Sequence, residues 1–179
     1  MSDPQDRYRS FLRDHVAPGL RSLGLRGSGT SYVLPDDGVW AIVGFQSDGR
    51  LTAQGIAAFT INLTKADKAA WARVRDDRPW YPAKPPASGA SGMEPAECIR
   101  IGNLIPVDAS LYDRWWLLDD GTTHPFLEHP LSGPLRLNSY GSPQPAHEVA
   151  KEVVAAIRDH AIPWFKGEHR VALPGAEWP

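Results

Sequence analysis

The stretch from Val39 to Thr64 constrains the fold more than any other part of the sequence. It contains two β-rich runs, VWAIVGFQ and LTAQGIAAFTINLT, which are separated by Ser47-Asp48-Gly49. An Asp-Gly pair between two such runs is typical of a β-hairpin. We therefore predict two adjacent antiparallel strands at this point of the chain.

The end of the second run shows strict alternation of apolar and polar residues. Phe59, Ile61 and Leu63 alternate with polar residues that include Thr60 and Asn62. Because successive side chains of a strand point to opposite faces, the apolar set shares one face and the polar set shares the other. We expect the first face to be core and the second to be solvated or ligand-facing.

Helical patterns precede and follow this sheet. An apolar stripe through residues 8–23 predicts a first helix, with a kink near residues 14–17 because Pro18 lies within the stripe. Val149 and Val153 belong to a second stripe, which predicts a last helix that ends before Pro163. Further elements are predicted as strands over residues 30–34, 97–104 and 113–118 and a short helix over residues 65–75.

The predicted fold class is α+β, a mostly antiparallel sheet of about five strands with the N- and C-terminal helices packed on one face. A chain of 179 residues is most simply one domain, residues 1–179. Residues 81–96, rich in Pro, Gly, Ser and Ala, and the Pro-rich residues 122–144 are predicted to be long flexible loops. Residues 166–179 form a tail.

Composition restricts the classes of function. The net charge of −2 provides no basic surface for nucleic acid, so we expect no nucleic-acid partner. No apolar run approaches the roughly 20 residues of a membrane span, and the polar start does not resemble a secretory signal. We therefore expect no membrane association and a cytoplasmic location. The seven Trp exceed what a core of this size needs, so we expect some of them to be exposed for contact.

The second face of the sheet is the predicted binding site. Alternation places Arg100 opposite the core, with Thr60, Asn62 and one of Trp115 and Trp116 on the same face. An arginine beside an aromatic ring and amide groups suits recognition of a carboxylate, a phosphate or a peptide. The alternative is an ordinary solvated sheet face with cross-strand pairs.

Other candidate residues predict neither a metal nor a cofactor. His124 and His129 lack the compact spacing of a zinc site and would need a third ligand, such as Asp119 or Asp120. The single Cys98 excludes an internal disulfide and lies in a predicted strand, where a lone cysteine is usually a small buried hydrophobe.

A set of short strings resembles a bacterial family catalogued as domain of unknown function 4304. These strings are LGL (23–25), Tyr32, GFQ (44–46), FTINL (59–63), CIRIG (98–102), LIP (104–106), RWW (114–116) and IPWF (162–165). The resemblance implies an α+β domain and carries no activity. This chain departs from the family pattern by its long stretches at 81–96 and 122–144, where we expect any function particular to it.

Two hypotheses of different class follow for the function. The first is a non-catalytic binding module for a protein or peptide partner, such as an accessory or immunity-type protein. It rests on the surplus of tryptophan and on the absence of a catalytic signature from the sequence. The second is a small cofactor-free enzyme or small-molecule-binding protein, cyclase- or isomerase-like, that uses the polar sheet face or a cavity between sheet and helices. The sequence leaves open whether the protein is an enzyme.

Overall fold

A computed structural model describes residues 3–90, 92–105, 114–119, 121 and 142–168 of the chain. These residues form an antiparallel sheet in the order β1-β2-β3-β4-β5, and β6 pairs with the same edge of β4 as β5. The strands are β1 (Arg26–Ser28), β2 (Ser31–Leu34), β3 (Val39–Ser47), β4 (Ala58–Asp67), β5 (Glu97–Arg100) and β6 (Trp116–Leu117). The α+β class and the antiparallel sheet are confirmed.

The terminal helices pack on one face of this sheet, as predicted. The helices are α1 (Pro4–Phe11), α2 (Ala17–Ser22), α3 (Gly49–Thr52), α4 (Lys68–Asp77), α5 (Ala146–Ala156) and α6 (Ile162–Phe165). Phe59, Ile61 and Leu63 of β4 are fully buried against both terminal helices, and Trp164 of α6 belongs to the same core. The apolar side of the alternation in β4 is therefore core.

Each terminal helix contains a π-helical turn immediately before a proline. Residues 12–18 (LRDHVAP) and 157–163 (IRDHAIP) share Arg, Asp, His and Pro at equivalent positions. The turns are Leu12–Val16 and Ile157–Ala161. The backbone N–H that follows each turn donates to the carbonyl five residues earlier, from Ala17 to Leu12 and from Ile162 to Ile157. Proline lacks an N–H and its ring clashes with the preceding turn, so the wider turn lets the chain continue as helix. The last helix therefore continues through Pro163, contrary to the prediction that it ends there.

The connection between β3 and β4 is longer than the predicted hairpin turn. The Asp48 side chain accepts hydrogen bonds from the amides of Arg50 and Leu51 and so caps the single turn of α3. Leu51 and Ile56 are then buried, and β4 begins only at Ala58. Local capping thus removed residues 51–57 from the predicted strand, while the two strands pair as predicted.

Other boundaries also moved. Strand β4 continues to Asp67, whose side chain caps α4 at Ala70, so the helix begins at Lys68 rather than at residue 65. Strand β5 ends at Arg100, where a 3₁₀ turn begins. Residues 26–28 form β1, which is not among the strands predicted from the sequence. Most of the predicted loop at 122–144 and of the tail at 166–179 lies outside the described residues.

The second face of the sheet, which was expected to be solvated or ligand-facing, is largely covered by other parts of the chain. Thr60 and Thr64 are as buried as the core residues on the other side of β4. Two small apolar clusters lie at the ends of this face. One contains Leu51, Ile56, Ala58 and Leu117, and the other contains Ala66, Trp71 and Tyr81.

Part of the segment 81–96 packs on this second face. A side chain at Gly44 of β3 would overlap the backbone of Ala87, and the Thr64 hydroxyl donates to the Pro86 carbonyl at 3.4 Å. Tyr81 and Ala90 are buried. The prediction of a long flexible loop did not anticipate this burial, which is possible because glycine in the strand lets the backbone of the segment approach closely. Its mobility in solution stays a prediction.

Candidate functional site

The register of the sheet places a set of polar side chains between the two apolar clusters of the second face. Asn62 of β4 lies directly opposite Arg100 of β5, and Thr60 lies opposite Gln46 of β3. These four residues and Trp115 are called the polar patch below. The sequence predicts that Thr60, Asn62 and Arg100 share a face, and the pairing brings them together.

Trp115 is the tryptophan of the tandem pair that joins the patch. The Arg100 guanidinium lies over its ring, 5.5 Å from the centroid, and both side chains are half-buried. A guanidinium held on an indole face gains a cation–π attraction and keeps its planar fork in one orientation. This contact holds the Arg100 guanidinium against the Trp115 indole.

Trp116 points to the opposite face and is part of the core. It stacks on Phe59 with 5.7 Å between ring centroids, and its indole N–H donates to Glu152 at 3.1 Å. Arg114 donates to the same carboxylate oxygen at 3.0 Å. Glu152 thus ties β6 to α5, which gives Trp116 and Arg114 a structural position away from the patch.

Gln46 belongs to the patch although the sequence prediction did not include it. The Asn62 amide donates to the Gln46 side-chain oxygen at 3.0 Å, which directs the Gln46 NH₂ group away from Asn62. Gln46 is exposed, Asn62 is half-buried and Thr60 has no accessible surface. Strand alternation does contain the signal, because Phe45 faces the core and Gln46 must face the other way.

The surroundings of the patch are apolar or backbone. Asn62 lies opposite Gly44, on which Ala87 packs, and two residues away Thr64 contacts Pro86. In the other direction along β4, Ala58 lies in the cluster with Leu51. A polar strip between apolar borders offers directed hydrogen-bond donors with reduced competition from water.

Cys98 also lies on this face, two residues before Arg100. Its sulfur is 3.6 Å from the Thr64 hydroxyl. Burial is the largest influence and raises the pKa of the Cys98 thiol, against the opposing effect of the Thr64 contact, and nearby Glu97 raises it further. The protonated thiol is the less reactive form, so burial disfavours Cys98 as a nucleophile.

An open cleft of about 700 Å³ lies between the start of α1 and α3, away from the patch. Its walls include Asp3, Thr52 and Arg7, whose guanidinium donates to the Gly55 carbonyl at 2.6 Å. Asp3 is already the N-cap of α1 and accepts from the Gln5 amide. The polar groups of this cleft therefore have structural roles.

Within the described residues, His, Cys, Asp and Glu nowhere gather in a group of three that would suit a metal ion. The candidates His124 and His129 lie outside the described residues. The helices described here include none with the length and apolar character required to span a membrane.

Comparison with known proteins provides a family and no further relative. Neither curated proteins nor solved structures give a match. The sequence model of one family, described as "Domain of unknown function (DUF4304)", matches residues 16–131, which is more than half of the chain. The matched region runs from the first helix through the whole sheet and includes every residue of the polar patch. The chain belongs to the DUF4304 family.

Proposed function

We propose that this domain is a non-catalytic binding module that recognises a carboxylate group of a protein or peptide partner through the polar patch. The observation that carries the proposal is the position of Arg100, which is stacked on Trp115 and lies directly opposite Asn62. A carboxylate pairs with the two parallel N–H groups of a guanidinium. Stacking on the indole lowers the entropy that such a pair costs, because the fork is already oriented.

The amides supply the directional part of the site. Gln46 is exposed and its NH₂ group is directed by the bond from Asn62. It therefore provides a neutral donor on β3, separated by Asn62 of β4 from the Arg100 cation on β5, and this row of donors favours an anion which also accepts hydrogen bonds. Thr60 is fully buried and is assigned a supporting role beneath the ligand instead of a direct contact.

The chemistry of the patch favours binding over catalysis. General acid–base catalysis needs a group that exchanges protons near neutral pH. The five residues of the patch are one arginine, two amides, a threonine and a tryptophan, and the patch contains none of the His, Asp, Glu, Lys, Tyr or Cys side chains that usually act as general acids and bases. The cofactor-free enzyme therefore remains the second hypothesis, and no described contact supports it at this face.

The test is a nuclear magnetic resonance titration of the ¹⁵N-labelled full chain with a short peptide, acetyl-Gly-Gly-Glu, that has a free C-terminus. We expect saturable shifts of the side-chain amides of Asn62 and Gln46 and of the Trp115 indole. The uncharged peptide acetyl-Gly-Gly-Gln-amide should leave these resonances in place. Arg100→Ala should weaken binding by about tenfold or more, because a charge-assisted bidentate pair is lost.

Two variants test whether binding requires the planar guanidinium of Arg100 or only a positive charge. Arg100→Lys retains the charge without the planar fork, so it should bind more weakly than the wild type. Arg21→Ala removes an exposed arginine on α2, on the helical side of the sheet, and should bind like the wild type. Equal binding by the wild type and Arg100→Ala, or no saturable shift at the patch, would refute the proposal.

A further inference from the structure

Trp80 is a large apolar side chain left in solvent by the fold. It is 75% exposed, whereas Trp71, nine residues earlier on α4, is 1% exposed. Trp80 follows Pro79 and precedes Tyr81, whose ring packs on Trp71 with 5.0 Å between centroids. The exposed indole is thus presented by a backbone that is anchored on both sides.

The contacts around Tyr81 make that anchor rigid. The Tyr81 amide donates to the Arg78 carbonyl at 2.9 Å, and Arg78 donates to the Tyr81 hydroxyl at 3.0 Å. The Trp71 indole donates to the Pro82 carbonyl at 3.1 Å. A tryptophan held in one position loses little entropy when it is covered, and such residues dominate protein interfaces.

Unpaired charges of both signs accompany Trp80. Arg73, Arg75, Asp76 and Asp77 are exposed, and none of the four forms an ion pair with another residue that the structure describes. The Arg75-Asp76 sequence differs in this from the other two places where Asp directly follows Arg. Arg13 pairs with Asp14, and Arg158 pairs with Asp159, each through two bonds of at most 2.7 Å. These four residues of α4 therefore present two cations and two anions to solvent.

We propose that α4 and Trp80 form a two-fold interface between two copies of this chain. A surface with both signs is complementary to itself when two copies meet about a two-fold axis, and two-fold dimers are the commonest oligomers. Helical spacing puts Arg73 and Asp76 on the side of α4 away from the buried Trp71. Antiparallel pairing then sets Arg73 against the partner's Asp76, twice.

The same antiparallel arrangement provides a place for the tryptophan. Helix α4 ends at Asp77, three residues before Trp80, and the arrangement brings this end towards the start of the partner's α4. Ala69 at that start is exposed and small, so the helix surface there can accept a large side chain. The interface is independent of the polar patch, so the two proposals are tested separately.

The experiment is sedimentation velocity on the full chain over roughly 10 to 500 µM, where a small interface is expected to dissociate. We expect a concentration-dependent dimer for the wild type. Trp80→Ala, Arg73→Asp and Asp76→Arg should each raise the dimer Kd by at least about tenfold. Arg21→Glu, a charge reversal on the helical side of the sheet, should leave the Kd unchanged.

The decisive measurement is sedimentation of a mixture of the two charge variants. In an equimolar mixture, Arg73→Asp and Asp76→Arg chains form two attractive pairs with each other and only repulsive pairs with themselves. The mixture should therefore dimerise although neither variant does so alone, which also shows that both variants are folded. A wild type that stays monomeric, a Trp80→Ala chain with wild-type Kd, or a mixture that stays monomeric would overturn the proposal.

Discussion

The two faces of the sheet are covered by different means. The terminal helices cover one face with a single continuous core, in which Phe59 and Ile61 of β4 are fully buried. Short local segments cover the other face, and its apolar parts are two small separate clusters. The polar patch lies between those clusters. A face covered by regular helices is uniformly apolar, whereas a face covered by irregular segments leaves room for directed polar groups.

The largest effect is expected from placing a charge on the core face. Ile61→Asp buries an unpaired carboxylate among aromatic and aliphatic side chains, which should cost more than about 4 kcal/mol and unfold the domain. Asn62→Asp puts the same carboxylate one residue further, opposite Arg100, and should be far milder. Thermal unfolding followed by circular dichroism measures both. Similar melting temperatures would contradict the assignment of faces.

An intermediate effect is expected where the segment 81–96 meets the second face. Gly44→Ala puts a methyl group into the backbone of Ala87 and should cost about 1–3 kcal/mol. Faster amide hydrogen exchange across residues 81–96 should accompany the loss of stability. Gly49→Ala has open space at the start of α3 and is the matched control. If exchange in Gly44→Ala matches the wild type, the segment does not depend on this contact.

The smallest effect is expected at Cys98, whose alkylation rate reports how closely the second face is covered. Burial raises the pKa of its thiol in the folded state, so alkylation by iodoacetamide should need a higher pH than in the unfolded chain. With the folded pKa above the unfolded one, this group's contribution to stability is complete below the unfolded pKa and is lost as pH rises through the folded value. Thr64→Val removes the opposing contact and should slow alkylation further. Identical pH midpoints for the folded and unfolded chains would show that the face is open at Cys98.

Part of the candidate site was accessible from the sequence. Alternation in FTINL and CIRI correctly put Thr60, Asn62 and Arg100 opposite the core, because the two-residue period of a strand is a local property. The same reasoning applied to β3 would have added Gln46, and glycine at position 44 signals a close backbone approach. The repeated Arg-Asp-His before Pro18 and Pro163 was also visible, although its π turns were not predicted.

Other features needed contacts between distant segments. Alternation places Trp115 and Trp116 on opposite faces, yet only the pairing of β6 with β4 decides that Trp116 joins the core. The packing of Ala87 on Gly44 depends on a segment that has no periodic pattern. Irregular segments are held by individual close contacts instead of a repeated stripe, so their composition does not predict where they lie.

By itself, the sequence determined most elements of the fold and which residues of a strand share a face, since both follow from local backbone geometry. Tertiary structure alone decided that Asn62 and Arg100 are opposite each other, because register depends on which strands pair and where. It also decided that Trp80 remains exposed while Trp71 is buried. Burial depends on what packs against a residue. The Tyr81 ring packs on Trp71, whereas the neighbouring Trp80 remains in solvent.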